Sequence, residues 1–389
     1  MYKKMGLSAF LAAVYLSAAA SFCSCGGADT VSVIDKVEEG KYINVYGRTF
    51  YNENLEGTTI INSASGFEVR FTGTSLKAEV WASVSGTGYT KSMFSVFIDG
   101  ETDCTKNIIS IKPTSGLFFE VVLVSDLPEG EHTVKILKRT SSNRDRCVFK
   151  NIQTDGHFLE APDHPSLKLD FYGDSITCGE GILRNVTYNE ATGKYDDDNV
   201  YTSETYNVLQ SYAGVAAKEL NAEFRVFGRG GISMNYPYGS EPYTVLSNYK
   251  SMAVDLSVEK GECPEYDYST YTPDVVVIYL GTNDYNWGRK FPSLNFTMSG
   301  LKNAFVQFIN EVIGTYYGKD MPVIICSGML YPDSGLVECM ESVKDTLKAE
   351  YPNLETLQFD EIKTGHPVVD EGEAAGKVLA AKITAMLNK

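Results

Sequence analysis

The sequence predicts a chain of two domains, an all-β jelly-roll sandwich followed by a three-layer α/β/α domain. Three observations carry this. Apolar residues recur with period two from about Lys41 to Ile152, a proline-broken stretch follows at residues 160–165, and beyond it short apolar runs alternate with segments of helical period. The length of 389 residues also exceeds one ordinary core and fits two.

The chain begins with an apolar stretch from about Leu7 to Ala20, behind Lys3 and Lys4 and ahead of small residues, which is the layout of an export signal. The stretch is shorter than the roughly 20 residues a spanning helix needs. Phe22-Cys23-Ser24-Cys25-Gly26 resembles a bacterial lipobox, so residues 1–25 are expected to act as a lipoprotein leader, with Cys25 as the lipid anchor of an exported, cell-envelope protein.

Residues 26–162 are expected to form the sandwich. Phe67, Val69 and Phe71 alternate with Glu68, Arg70 and Thr72, and Phe94, Val96 and Ile98 alternate with Ser95 and Phe97. Turn signals at Thr72-Gly73, Asp99-Gly100 and Pro128-Glu129-Gly130 divide these strands with no helical segment between.

Residues 163–389 are expected to form the α/β/α domain. Its strands are Leu167 to Tyr172, Phe224 to Phe227, Val275 to Leu280 and Val323 to Cys326, apolar throughout, as strands covered on both faces must be. Helices are predicted over Glu204 to Leu220, with Val208, Leu209, Tyr212, Val215, Ala216 and Leu220 on one face, and from about Ser299 to Tyr316. A last helix, Asp370 to Leu387, carries a stripe of Ala375, Val378, Leu379, Ile383 and Met386.

Charge and cysteine usage narrow the function classes. The 34 basic and 50 acidic residues leave a formal charge of −16, which repels phosphate backbones, so no nucleic-acid partner is expected. The cysteines after the leader show no metal-ligand spacing, and no metal or organic cofactor is expected. An oxidising compartment permits disulfides, and Cys104 with Cys147 is one candidate pair.

The chemistry gathers at strand ends. Gly173-Asp174-Ser175 ends the first α/β strand, where an open parallel sheet places active groups. A serine hydroxyl needs a base, and of the four histidines only His366 lies in the α/β domain after Ser175. His132 and His157 belong to the sandwich, and His164 in Asp163-His164-Pro165 reads as a linker residue. Asn283, in Gly281-Thr282-Asn283-Asp284, is a side-chain donor for an oxyanion, and Gly230, favoured over Gly228, is a backbone donor alongside the Ser175 N–H. Trp287 and Tyr285 follow the Asn283 block and could stack on a sugar ring.

These blocks, in this order, resemble those of SGNH (GDSL-type) hydrolases, and with the preceding sandwich the chain resembles carbohydrate esterase family 2. The resemblance implies a Ser-His esterase that removes acetyl groups from polysaccharides such as xylan and mannan, with an acetylated polysaccharide or oligosaccharide as partner. Many SGNH enzymes carry Asp two positions before the histidine, where this chain has Thr364. A backbone carbonyl, as in members thought to use a dyad, or Asp360, Glu361 or Asp370 remain open for orienting the base. The alternatives are an esterase for another acyl group, such as a peptidoglycan or sialate O-acetyl or a lipid ester, and an inactive glycan-binding surface lipoprotein.

Overall fold

The computed structural model describes residues 30–31, 41–86, 88–238 and 242–388; the apolar leader and Cys25 lie outside them. Two antiparallel sheets occupy the first part of the chain. One runs Phe50–Asn52, Gly57–Ile60, Asp145–Thr154, Leu76–Val84, Phe119–Val124; the other runs Phe158–Leu159, Gly66–Gly73, Gly130–Lys138, Ser92–Ile98, Ile108–Ile111.

Period-two alternation decides which face of each strand is buried. Phe67, Val69, Phe71, Phe94 and Val96 of the second sheet meet Val80, Cys147 and Phe149 of the first in one core. The rings of Phe67 and Phe94 stand edge-on to Phe149, at 5.5 and 5.6 Å. Cys147 is fully buried there, with its thiol pushed up to about 12 by desolvation, whereas Cys104 faces Asn207 of the second domain across 3.5 Å. Both are free thiols, which corrects the candidate disulfide.

Between Leu159 and Lys168 the chain crosses into a five-stranded parallel sheet, ordered Glu223–Gly228, Lys168–Gly173, Val275–Tyr279, Val323–Ser327, Leu354–Gln358. Helices cover both faces. Met298–Phe308 and Leu336–Leu347 contribute to one core, and Tyr212–Glu219 and Val369–Leu387 to the other. The first strand in sequence lies between the second and third, so the connections leave it in opposite directions. That switch point opens a crevice beyond the carboxyl end of Lys168–Gly173.

Three helical expectations need correction. The helix expected from Glu204 begins at Tyr212, because Asn207 and Ser211 both adopt extended backbone and cap a short 3₁₀ turn and the helix in succession. The helix through Ser299 changes after Phe308 into a π-helical run, Ile309–Tyr317. In Val369–Leu387, Val378 is 49% exposed. The buried face turns instead through Gly376, where an added Cβ would sit 2.5 Å from Val215 Cβ, so glycine allows the two helices to approach closely.

The domains are fused through polar groups as well as apolar ones. Arg48, from the sandwich, is buried in the second domain: it donates to the carbonyls of Tyr249 and Ser251 and to the Tyr172 hydroxyl, each at 3.0 Å. Its guanidinium also lies over the rings of Tyr266 and Phe227, at 3.9 and 4.2 Å. Asn62 donates to the Met252 carbonyl at 2.8 Å beside it.

Candidate active site

The strand Lys168–Gly173 ends in a tight turn that presents Ser175. Asp174 caps the single helical turn Ser175–Cys178 by accepting from the Ile176 N–H at 2.9 Å. His366 arrives on the loop before Val369–Leu387, and its Nε2 lies 2.8 Å from Ser175 Oγ. The other ring nitrogen, Nδ1, is 3.2 Å from the hydroxyl of Tyr201.

Arg184 holds the His366 loop. Its Nη2 donates to the His366 carbonyl at 3.1 Å and to Thr364 Oγ1 at 3.2 Å, and Asp197 receives the same guanidinium through both carboxylate oxygens, at 3.1 Å each. Thr364 thus touches the main chain of His366 and not its ring. Desolvation of the buried imidazole lowers the pKa of His366, the field of Glu180 opposing this and that of Arg184 adding to it.

Gly230 lines the cleft and Gly228 does not. Glycine at position 230 makes room for the Glu180 carboxylate, since an added Cβ would stand 2.1 Å from Glu180 Oε2 and push that side chain aside. Asn283 reaches the same cleft with its amide engaged: Nδ2 donates to Asp174 Oδ2 at 3.1 Å and to the Ile232 carbonyl at 3.0 Å. Asp174 is fully buried, and desolvation pushes its carboxyl up to about 7. Its neighbour Asp284 faces away and fastens the loop opposite, accepting the N–H groups of Met234, Asn235 and Tyr236 at 2.8 to 2.9 Å.

These groups surround an open cleft of about 600 Å³. Trp287 lines it, its indole N–H donating to the Gly231 carbonyl at 3.3 Å and its ring 4.5 Å from that of Tyr238. Tyr285 does not line it; its ring packs against Phe296 and behind Tyr331, which takes the expected place at the cleft.

A carbohydrate esterase 2 N-terminal domain matches residues 45–162, and a GDSL-like lipase/acylhydrolase domain matches residues 171–357. The chain joins a carbohydrate esterase 2 N-terminal domain to a GDSL-like lipase/acylhydrolase domain. It is 29% identical over 304 residues to the cellulase/esterase CelE of Acetivibrio thermocellus, covering 78% of this chain and 33% of that protein. It is 27% identical over 249 residues to an acetylxylan esterase / glucomannan deacetylase of Cellvibrio japonicus, covering 64% of this chain and 62% of that one. It therefore spans about a third and just under two thirds of these relatives.

Solved structures share the fold. A family two carbohydrate esterase from Cellvibrio japonicus superposes with a TM-score of 0.75 at 22% identity, covering 93% of this chain and 98% of that one. One from Clostridium thermocellum in complex with cellohexaose gives 0.72 at 24%, covering 89% and 99%.

The sandwich contributes directly to the cleft, which sequence reasoning missed. Tyr89 and Arg144 both line it and both donate to Glu180 Oε1, at 3.0 and 2.5 Å. Neither residue lies in a recognisable motif, and nothing in the local sequence ties them to Glu180, 91 and 36 positions away. Tyr201 and Arg184 were missed for the same reason.

Proposed function

We propose that this hydrolase is a serine esterase that removes O-acetyl groups from polysaccharides of the xylan or mannan type. The observation that carries the reading is the 2.8 Å contact of His366 Nε2 with Ser175 Oγ inside a cleft open to a polymer. His366 takes the Oγ proton as Oγ attacks the acetyl carbonyl, then gives that proton to the departing sugar oxygen. Water, deprotonated by the same imidazole, attacks the acyl carbonyl, the imidazolium returns that proton to Ser175 Oγ as the Oγ–acyl bond breaks, and acetate leaves.

The negative charge on the carbonyl oxygen is taken up by the N–H groups of Ser175 and Gly230 and by the amide of Asn283. Trp287 offers a flat apolar face to a sugar ring. The acetyl and xylan or glucomannan chemistry is supported by what the Cellvibrio relative is named for. Within the same proposal the sandwich has jelly-roll topology, and the leader is removed to leave Cys25 carrying lipid, which tethers the enzyme to the cell envelope where polysaccharide is met.

The test is acetate release from acetylated xylan, acetylated glucomannan and a small aryl acetate by the chain and by Ser175→Ala. Release from at least one polysaccharide, lost in the variant, is expected. Release from none, or release that survives the substitution, rejects the reading.

A further inference from the structure

Among the described residues no carboxylate stands at the second nitrogen of the His366 imidazole that faces Ser175. Asp360, Glu361 and Asp370 make no hydrogen bond or ion pair with the ring, Thr364 reaches only its main chain, and Asp197 is committed through both oxygens to Arg184. The group at Nδ1 is the Tyr201 hydroxyl, at 3.2 Å, and among the described residues that hydroxyl has no other hydrogen-bond partner.

We infer that Tyr201 is the positioning residue of the base, its phenolic oxygen accepting the Nδ1–H of His366 in the place a carboxylate holds in a Ser-His-Asp triad. The inference rests on the esterase reading above. Its physical content is a tautomer. For Nε2 to accept the Ser175 proton its lone pair must be free, so the neutral imidazole must carry its hydrogen on Nδ1. A ring with no acceptor at Nδ1 is free to adopt the other tautomer, which cannot take the proton. Once Nε2 is protonated, the same Nδ1–H becomes a donor from a cation and the bond to Tyr201 strengthens.

The ring of Tyr201 is held independently of its hydroxyl. It stands edge-on to His366 with centroids 5.4 Å apart, lies under the Arg184 guanidinium at 5.1 Å, and fits against Gly181, where an added Cβ would sit 2.5 Å from its Cε1. Burial raises the phenol above its ordinary value, so it stays neutral across the working range. The charged groups that act on the imidazole are Glu180, Arg184 and Asp197, and all three are retained when only the hydroxyl is removed.

Tyr201→Phe in the full chain removes the acceptor and keeps the ring. With a small aryl acetate, kcat is expected to fall about ten- to a hundredfold, the range for a hydrogen bond made to a charged group, while KM stays unchanged. The acid limb of the pH profile should move to lower pH, because the imidazolium loses more than the neutral ring does. A variant with unchanged kcat and an unmoved limb, or one altered only in melting temperature, overturns the inference.

Nitrogen NMR of the imidazoles, with the His366 signal assigned by its loss in His366→Asn, gives a readout independent of turnover. A Nδ1–H tautomer in the unsubstituted chain that gives way to Nε2–H in Tyr201→Phe supports the assignment, and a tautomer unaffected by the substitution overturns it. Should the chain hydrolyse no ester at all, the esterase reading fails while the NMR result still decides the role of Tyr201.

Discussion

The side-chain amide of Asn283 donates to the carboxylate of Asp174 across 3.1 Å, and its second hydrogen goes to the Ile232 carbonyl. Both N–H groups of the expected oxyanion donor are therefore occupied before substrate arrives. An anionic oxygen is the stronger acceptor, so the bond to the neutral carbonyl is the one to exchange. The net gain is the difference between the two bonds. Asn283→Ala should lower kcat by about a hundredfold, near the low end for loss of one oxyanion donor, with little change in KM. Steady-state kinetics on an aryl acetate check this, and a change confined to KM would contradict it.

His366 titrates below the ordinary histidine value because burial penalises its charged form. The neutral ring is the active base, so a lowered pKa keeps the base available at lower pH. The acid limb of kcat/KM is expected below pH ~6.5, the unperturbed histidine value. A profile of kcat/KM against pH at constant ionic strength measures it, and a limb above that value would place a negative charge nearer the imidazole than the structure does.

Asp174 carries the opposite shift, to about 7. For a carboxyl whose folded pKa is raised, the folded chain holds a proton that the unfolded chain has released, so stability falls as pH rises from ~4 towards 7. Asn keeps one carbonyl oxygen to cap Ile176 and carries no charge to bury, at the cost of the bond that Oδ2 accepts from Asn283. Asp174→Asn is expected to raise the melting temperature at pH 8 and to change it less at pH 4. An equal shift at both pH values, or a loss at pH 8, would show that the carboxylate is compensated in a way the hydrogen bonds do not account for.

What the sequence made legible was local. Ser175, Gly230, Asn283 and His366 each follow the end of a strand or precede a helix, so a short segment announces both the residue and its place at the sheet edge. The double-layer cover was legible for the same reason, since Val275–Tyr279 is apolar on both faces. The environment of His366 was not. Tyr201 is 165 positions away, in a loop without periodicity, and only the folded chain brings it to Nδ1. The missing acid at Thr364 was visible; what stands at the ring in its stead was not. Helix starts failed where side chains competed with periodicity, as Asn207 and Ser211 do ahead of Tyr212.

Trp287 separates polymer binding from chemistry. Its ring lines the cleft without a hydrogen bond to Ser175 or ring contact with His366, and its N–H is satisfied by Gly231. Trp287→Ala should raise KM for acetylated polysaccharide about three- to tenfold, matching the 0.5–1.5 kcal/mol an aromatic stacking contact supplies beyond area burial. An aryl acetate, which presents no sugar ring, should show the same kcat and KM as before. Equal loss on both substrates would assign the indole to holding the Gly231 loop.

Arg48 makes the two domains a single structural unit. Removing it takes the guanidinium donor, 3.0 Å away, from the Ser251 carbonyl, one of two donors from the Tyr249 carbonyl, which keeps the Tyr268 hydroxyl at 2.9 Å, and one partner from the Tyr172 hydroxyl, and it opens a space between the rings of Tyr266 and Phe227. A buried acceptor left without a donor costs about 1–3 kcal/mol, and the emptied space adds a cavity cost of similar size, so Arg48→Ala should destabilise the chain by about 3 kcal/mol or more. Arg48→Lys restores the charge but not the fork that serves both carbonyls and the hydroxyl, and should recover less than half of the loss. Calorimetry decides between the fused arrangement and two independent cores: one transition that moves down as a whole is expected, whereas a sandwich that melts on its own with the second domain unmoved would contradict it.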